Sequence, residues 1–446
     1  MGLLTTYGQY YRSIWRLALP LFIGQLGNIA VAFTDNIMVG QYSTDALASA
    51  SFVNNFFNIA IFACVGFTYG LTPLIGAIFA GGDNDRIGRM VRVGLRVNTL
   101  FTIVLSLVML VIYFNLDRMG QPEHLLPLIK PYYLIVLAGM LPVTVFNVFA
   151  QWSYAINNTG LPTWIVLGAN AVNVLGNYLL IYGNFGFPEL GLTGAGLSTF
   201  TARVLCAVAM VAVFFFCRQG RPFRHGFRHG RKETGETALV ARTGFPVSMQ
   251  MTFETASFSG SAVMAGWLGA IPLAAFQIVA VSGMLGFCLY YSIGAAMAIP
   301  LSHASGRCDY KAMRRIAYGG YHMILVCMVL VSVVFLGCGH AIMGFFSSDE
   351  AVVAAAMAVI VPIVLYQLGD ATQIAFANAL RGTSHVMPML YIAFVSYIVV
   401  GLPVTYALAF PCGLGLFGIV LSFSVCLMMA AVLYLVFFIR ATRTNK

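Results

Sequence analysis

The sequence predicts an all-α polytopic membrane protein of twelve transmembrane helices in two pseudo-symmetric six-helix lobes. Three observations carry that prediction. The 446 residues are 60% hydrophobic and only 9% charged, with a mean hydropathy of +0.87. A soluble globular chain carries about 25% charged residues. Apolar runs longer than the ~20 residues a helix needs to cross a bilayer recur along the whole chain. The Lys and Arg residues sit almost entirely on one side of those runs.

In chain order, the first span is read at 14–40 and contains LALPLFIGQLGNIAVAFTDNIMVG. The preceding MGLLTTYGQYYRSIWR has no short apolar core followed by a small-residue cleavage site, so this is an uncleaved first span. Asp45 marks the break before span 2 (46–80), Asp83 and Asp85 the break before span 3 (87–115), and Asp117 and Glu123 the break before span 4 (124–156). Span 5 (161–183) is followed by Glu189 and span 6 (190–217), and then by the basic stretch RQGRPFRHGFRHGRK at 218–232. The second half gives spans 7 (237–267) and 8 (271–304), Asp309, and span 9 (312–340). Span 10 (350–380) opens at Asp349 and Glu350, and spans 11 (386–411) and 12 (414–440) close the chain. Several spans are too long for a perpendicular crossing and must tilt or extend past the bilayer.

With both termini in the cytoplasm, 21 Lys and Arg fall on the inner side and two, Arg118 and Lys130, in outer loops. Arg203 alone lies within a span. That asymmetry supports an even number of spans. It also accounts for the net charge of +10 without nucleic acid. The basic stretch reads as a solvated cytoplasmic linker drawn to anionic lipid.

The linker lies near the chain midpoint, and the two sides of it repeat. LGLTGAGLS (190–198) returns as LGLFGIVLS (414–422), Pro20 as Pro246, Asp83 as Asp309 and Pro162 as Pro388. The offset stays within 224–227 residues, with YGLTPLIGAIFAGGD (69–83) paralleling AMAIPLSHASGRCD (296–309). The chain therefore divides into an N-lobe (1–217), a linker (218–236) and a C-lobe (237–446) in the same orientation. Parallel repeats of this kind place a substrate site between the halves and expose it by rocking.

Of 14 acidic residues, only Asp35 (span 1), Glu254 (span 7) and Asp370 (span 10) lie inside spans. A carboxylate in hydrocarbon costs at least a few kcal/mol and usually marks an ion or substrate path. Arg203 cannot neutralise all three. Carboxylates removed from water exchange protons near neutral pH, and hard oxygen ligands also suit Na⁺. We therefore expect these three to be ion-coupling and cation-binding groups. Asn170, Asn173 and Asn177 share one face of span 5, Asn54 and Asn58 one face of span 2, and Gln277 and Tyr366 lie deep in spans 8 and 10.

Other chemistries lack their signatures. There is no G-x-x-x-x-G-K-[ST] for nucleotide, no HExxH and no G-x-S-x-G, and QLGD departs from the GxGD of an intramembrane aspartyl protease. None of the nine cysteines forms a CxxC pair, so neither a zinc site nor a disulfide framework is indicated. Without nucleotide, work must come from an ion gradient. One cation entering down 100 mV supplies about 2.3 kcal/mol, and a tenfold gradient adds about 1.4 kcal/mol.

Five segments carry a family resemblance: AFTDNIMVG (32–40), NYLLIYGNFGFPELGLTGAG (177–196), MTFETASF (251–258), AAFQIVAV (274–281) and LYQLGDATQIAFANALRG (365–382). Through them, and nearly end to end, the chain resembles the MATE (multidrug and toxic compound extrusion) transporters of the NorM type. The resemblance implies a V of two six-helix lobes that exports organic cations in exchange for Na⁺ or H⁺. It matches Asp35 to the N-lobe acid, Glu254, Asp370 and Tyr366 to a C-lobe cation site able to hold Na⁺, and Gln277 to a polar cavity position. Asn173 and Asn177 are the N-lobe cavity amides. Some branches carry a second N-lobe aspartate on span 5, where this chain has Asn177, so any N-lobe proton path rests on Asp35.

The expected function is secondary antiport of lipophilic cationic small molecules across a bacterial cytoplasmic (inner) membrane, with both termini inside. No cofactor is expected beyond the coupling ion, and no partner beyond substrate and membrane lipid. A monomer suffices, because the duplication already supplies two lobes. The alternative is a superfamily relative that flips a lipid-linked saccharide or exports one specific metabolite. An anionic lipid cargo would want several in-span cations, and the spans hold three acids against Arg203.

Overall fold

The computed structural model describes residues 3–120, 122–230, 233–347 and 349–443. All regular structure among them is helical. The long helices follow the predicted spans: α1 (Leu3–Tyr42), α2 (Thr44–Ala80), α3 (Asn84–Tyr113), α4 (Glu123–Ala155), α5 (Gly160–Leu180) and α6 (Gly191–Phe216). The second half supplies α7 (Glu236–Trp267), α8 (Ala270–Gly306), α9 (Tyr310–Phe346), α10 (Ile360–Gly382), α11 (Met387–Ala409) and α12 (Gly415–Ala441). Eleven of these are long and apolar enough to cross a membrane. The exception is α7, whose 32 residues carry Glu236, Arg242 and Glu254 among many hydroxyls. The chain is a multi-pass membrane protein.

Local chemistry sets the helix ends. Asp83 caps α3 by accepting from the Arg86 amide at 2.9 Å, and Asp309 caps α9 by accepting from Ala312 at 3.0 Å. Span 10 is two helices: Glu350–Ala358 stops at Val359 and α10 begins at Ile360. A similar break at Gly139 divides α4. With 37 residues each, α2, α8 and α9 run to roughly 55 Å at 1.5 Å per residue, well past a ~30 Å hydrocarbon core.

The chain forms two compact units. One is Ile23–Ser248, here unit N; the other joins Met1–Phe22 to Met249–Lys446, here unit C. The divisions run through α1 and α7, not through the basic stretch. In unit C the start of α1 packs on α9, where Tyr11 Oη lies 3.1 Å from His322 Nδ1 and Tyr7 stands edge-on to the same ring. In unit N the start of α7 packs on α2. Ser248 Oγ donates to Ala63 O at 2.7 Å, and a Cβ on Gly70 would lie 2.7 Å from Gly244 N. Only glycine allows that approach.

The basic stretch is solvated on one face and packed on the other. Phe223 and Phe227, four residues apart on a short helical segment, pack with Trp152 and Phe214, and Phe223 is 5% exposed. Gly88 of α3 lies against the Phe223 carbonyl, and Arg92 donates to Arg228 O at 3.2 Å. Arg89 donates to Glu236 Oε1 at 2.8 Å and pairs with Glu233. The segment is amphipathic, and its apolar face is core. Arg231, Lys232 and Lys446, counted above among inner-side cations, lie outside the described residues.

Candidate functional sites

Each unit encloses polar side chains within its helices. In unit N the helical period of α5 places Asn173 and Asn177 one turn apart, facing Asp35 of α1. Asn177 Nδ2 donates to Asp35 Oδ1. The Asn173 amide is oriented so that its nitrogen donates to the same oxygen at 2.9 Å while its oxygen accepts from Thr199 Oγ1 and N at 3.1 and 3.2 Å. In that orientation both the nitrogen and the oxygen of the Asn173 amide have partners. Both asparagines are buried, at 2% and 0% exposure. Asp35 Oδ2 takes no hydrogen bond from a described residue. Farther along α5, Asn170 Nδ2 donates to Asn28 Oδ1 at 3.2 Å.

Asn28, Asp35, Asn170, Asn173 and Thr199 line a cavity of about 290 Å³, walled on its apolar side by Val31, Val143, Phe146 and Val166. Arg203 of α6 lines it too. The sequence marks Arg203 as the only in-span cation but does not place it in one cavity with Asp35.

Unit C gathers the other acids. Glu254 of α7 accepts from Gln250 Nε2 at 2.9 Å and has the Gln373 amide of α10 as a second hydrogen-bonding neighbour. Asp370 of α10 is 7% exposed, lies within electrostatic reach of Glu254, and has no hydrogen bond or ion pair with a described residue. Tyr366, one turn before Asp370, stacks edge-on to Phe423 at 6.3 Å. Its hydroxyl occupies the space a side chain at Gly283 of α8 would fill. Tyr290 donates to Gln367 Oε1 at 2.7 Å.

Around this pair several buried polar atoms have no partner among the described residues: Gln373 Oε1, Gln367 Nε2, and the hydroxyls of Tyr397 and Tyr434. Both tyrosines lie within electrostatic reach of Glu254. Tyr397 belongs to a π-helical segment, Phe394–Gly401, of the kind that often marks functional sites. Buried groups left unpaired are rare enough to need an explanation. Two carboxylates in mutual reach, ringed by neutral oxygens, call for a shared cation, a proton or a hard metal ion.

The structure therefore brings Asp35, Asn173 and Asn177 together, and Glu254 with Asp370 and Tyr366. It does not join Gln277 to either set: that side chain is exposed on α8 and hydrogen-bonds to no described residue. Gln250, Gln373, Tyr397 and Tyr434 were missed. Gln250 and Gln373 had a usable signal, lying four residues before Glu254 and three after Asp370, on the faces of the acids.

Comparison with known proteins gives one consistent result. A family model described as MatE matches residues 20–179 and 246–407. The chain is 30% identical over 415 residues to a Bradyrhizobium diazoefficiens protein described as "Probable multidrug resistance protein NorM", covering 92% of this chain and 89% of that one. A Geobacillus kaustophilus protein with the same description is 27% identical over 409 residues, covering 92% and 90%. Among solved structures, the eukaryotic MATE transporter AtDTX14 superposes with a TM-score of 0.86 at 17% identity, covering 97% of this chain and 96% of that one. A mutant of the Vibrio cholerae MATE transporter VcmN superposes with a TM-score of 0.87 at 15% identity, covering 99% of each. At those identities the two structures show the shared fold.

Proposed function

The chain belongs to the MatE family, and from that premise we propose that it is a secondary active antiporter. In this reading it exports organic cations and drugs across a bacterial cytoplasmic membrane in exchange for Na⁺ or H⁺, with both termini inside. The observation that carries the reading is that Glu254 and Asp370, on separate helices, lie within electrostatic reach of each other amid unpartnered buried oxygens. Such a group takes up a cation at a cost only a gradient can repeatedly reverse. Glu254, Asp370 and Tyr366 are the proposed ion site, with Na⁺ or a proton as the transported ion. Asp35, held by Asn173 and Asn177, is the proposed cargo or proton acceptor of unit N. The small-molecule cargo follows what the relatives' names say of them. A single-metabolite exporter is the second reading; its test is whether the substrate range is narrow.

The deciding experiment is ethidium efflux with Na⁺ and pH gradients imposed separately, for wild type and for Asp35→Asn, Glu254→Gln and Asp370→Asn. Gradient-driven efflux in wild type and at least a tenfold loss in Glu254→Gln and Asp370→Asn, at unchanged expression, is the expected result. Undiminished efflux in all three variants overturns the assignment.

A further inference from the structure

The cavity of unit N holds a cation as well as an anion. Arg203 makes no ion pair or hydrogen bond with any described residue, although it lines the cavity with Asp35. Its place is fixed by shape: Gly139 leaves the room, since a Cβ there would lie 2.8 Å from Nη1 and 3.3 Å from Cδ. The guanidinium thus presents a planar fork of N–H donors, the geometry that takes a carboxylate through two parallel hydrogen bonds. Asp35 uses Oδ1 for Asn173 and Asn177 and leaves Oδ2 for a donor.

The two charges set what the cavity accepts. A simple cation at Asp35 meets the field of Arg203, and a simple anion at Arg203 meets that of Asp35. Both repulsions become attractions for a molecule bearing a protonated or quaternary nitrogen and a carboxylate. The amides of Asn28 and Asn170 are occupied with each other at 3.2 Å and add polar surface without net charge.

We propose that the unit N cavity is a site for zwitterions, with Arg203 as the carboxylate-binding, specificity-determining residue and Asp35 as the cation-binding one. The inference rests on the exporter reading only for the fate of the ligand, not for its binding.

The probes are rhodamine 110, a xanthylium cation with a free carboxylate, and rhodamine 123, its methyl ester. Their binding to the detergent-solubilised full chain is read by fluorescence anisotropy. Wild type is expected to bind the acid at least tenfold more tightly than the ester. In Arg203→Gln the acid-to-ester ratio falls to about one, and Arg203→Lys, which keeps the charge but not the fork, falls between. Equal affinities in wild type overturn the proposal, whether or not the variants fold. So does a preference for the acid that persists in Arg203→Gln. Parallel uptake into proteoliposomes separates the two readings: acid preference in binding without gradient-driven movement of either dye leaves the site standing and removes the exporter.

Discussion

Cys308 holds a φ of 55°, in the left-handed region, where the first half of the chain has Gly82 at 77°. The same correspondence joins Asn157 at 65° to Ser384 at 63°, and Gly191 to Gly415, both at 53°. A non-glycine residue held there costs roughly 1–2 kcal/mol. Cys308 is exposed, so its side chain adds little packing in return. Cys308→Gly is therefore expected to raise the thermal midpoint of the solubilised protein by about 1–2 °C, read from intrinsic fluorescence; a lowered midpoint would show the thiol to be structural. At this scale the acids were legible, because counting carboxylates within apolar runs needs no coordinates. Arg203 was legible as an oddity but not as a neighbour of Asp35. Helical period fixes which residues share a face, yet it does not say which face of another helix they meet.

The helix Glu236–Trp267 shows what hydropathy alone leaves out. Its polar content keeps it below the apolarity of the other long helices, yet a buried ion pair holds its first turn. Its first residue, Glu236, is 5% exposed and accepts from Arg89, itself 12% exposed. Removing one partner of a buried pair costs about 3 kcal/mol, because the other charge stays behind. Glu236→Gln should accordingly lower the thermal midpoint by several degrees. Glu233, 57% exposed on the same arginine, is worth at most ~1 kcal/mol, so Glu233→Gln should change the midpoint little. Equal effects of the two variants would refute the burial argument. The packed face of the neighbouring basic stretch was not legible for a related reason. The stretch's six cations dominated the reading, while the two phenylalanines that anchor it are visible only at four-residue spacing.

At the scale of the whole molecule, the duplication and the twelve helices were legible, since both are written in periodicity. The exchange of helix ends was not. Hydropathy is blind to which neighbour a half-helix packs on, and Tyr7 and Tyr11 look no different in sequence from residues that would stay with their own lobe. The exchange predicts how the chain tolerates cutting. Residues 1–217 expressed alone lack the 237–248 stretch of unit N and carry a 1–22 stretch with nothing of their own to pack on. That fragment should be degraded, and so should 237–446; co-expressed, with one tagged, they should copurify. A stable, monodisperse half would contradict the exchange. The same feature bears on ancestry. A six-helix forebear, before duplication, would have owned a first half-helix that only a second copy could receive. Such a forebear would have folded only as a reciprocal swap between two separate chains, an arrangement that gene fusion would then make permanent.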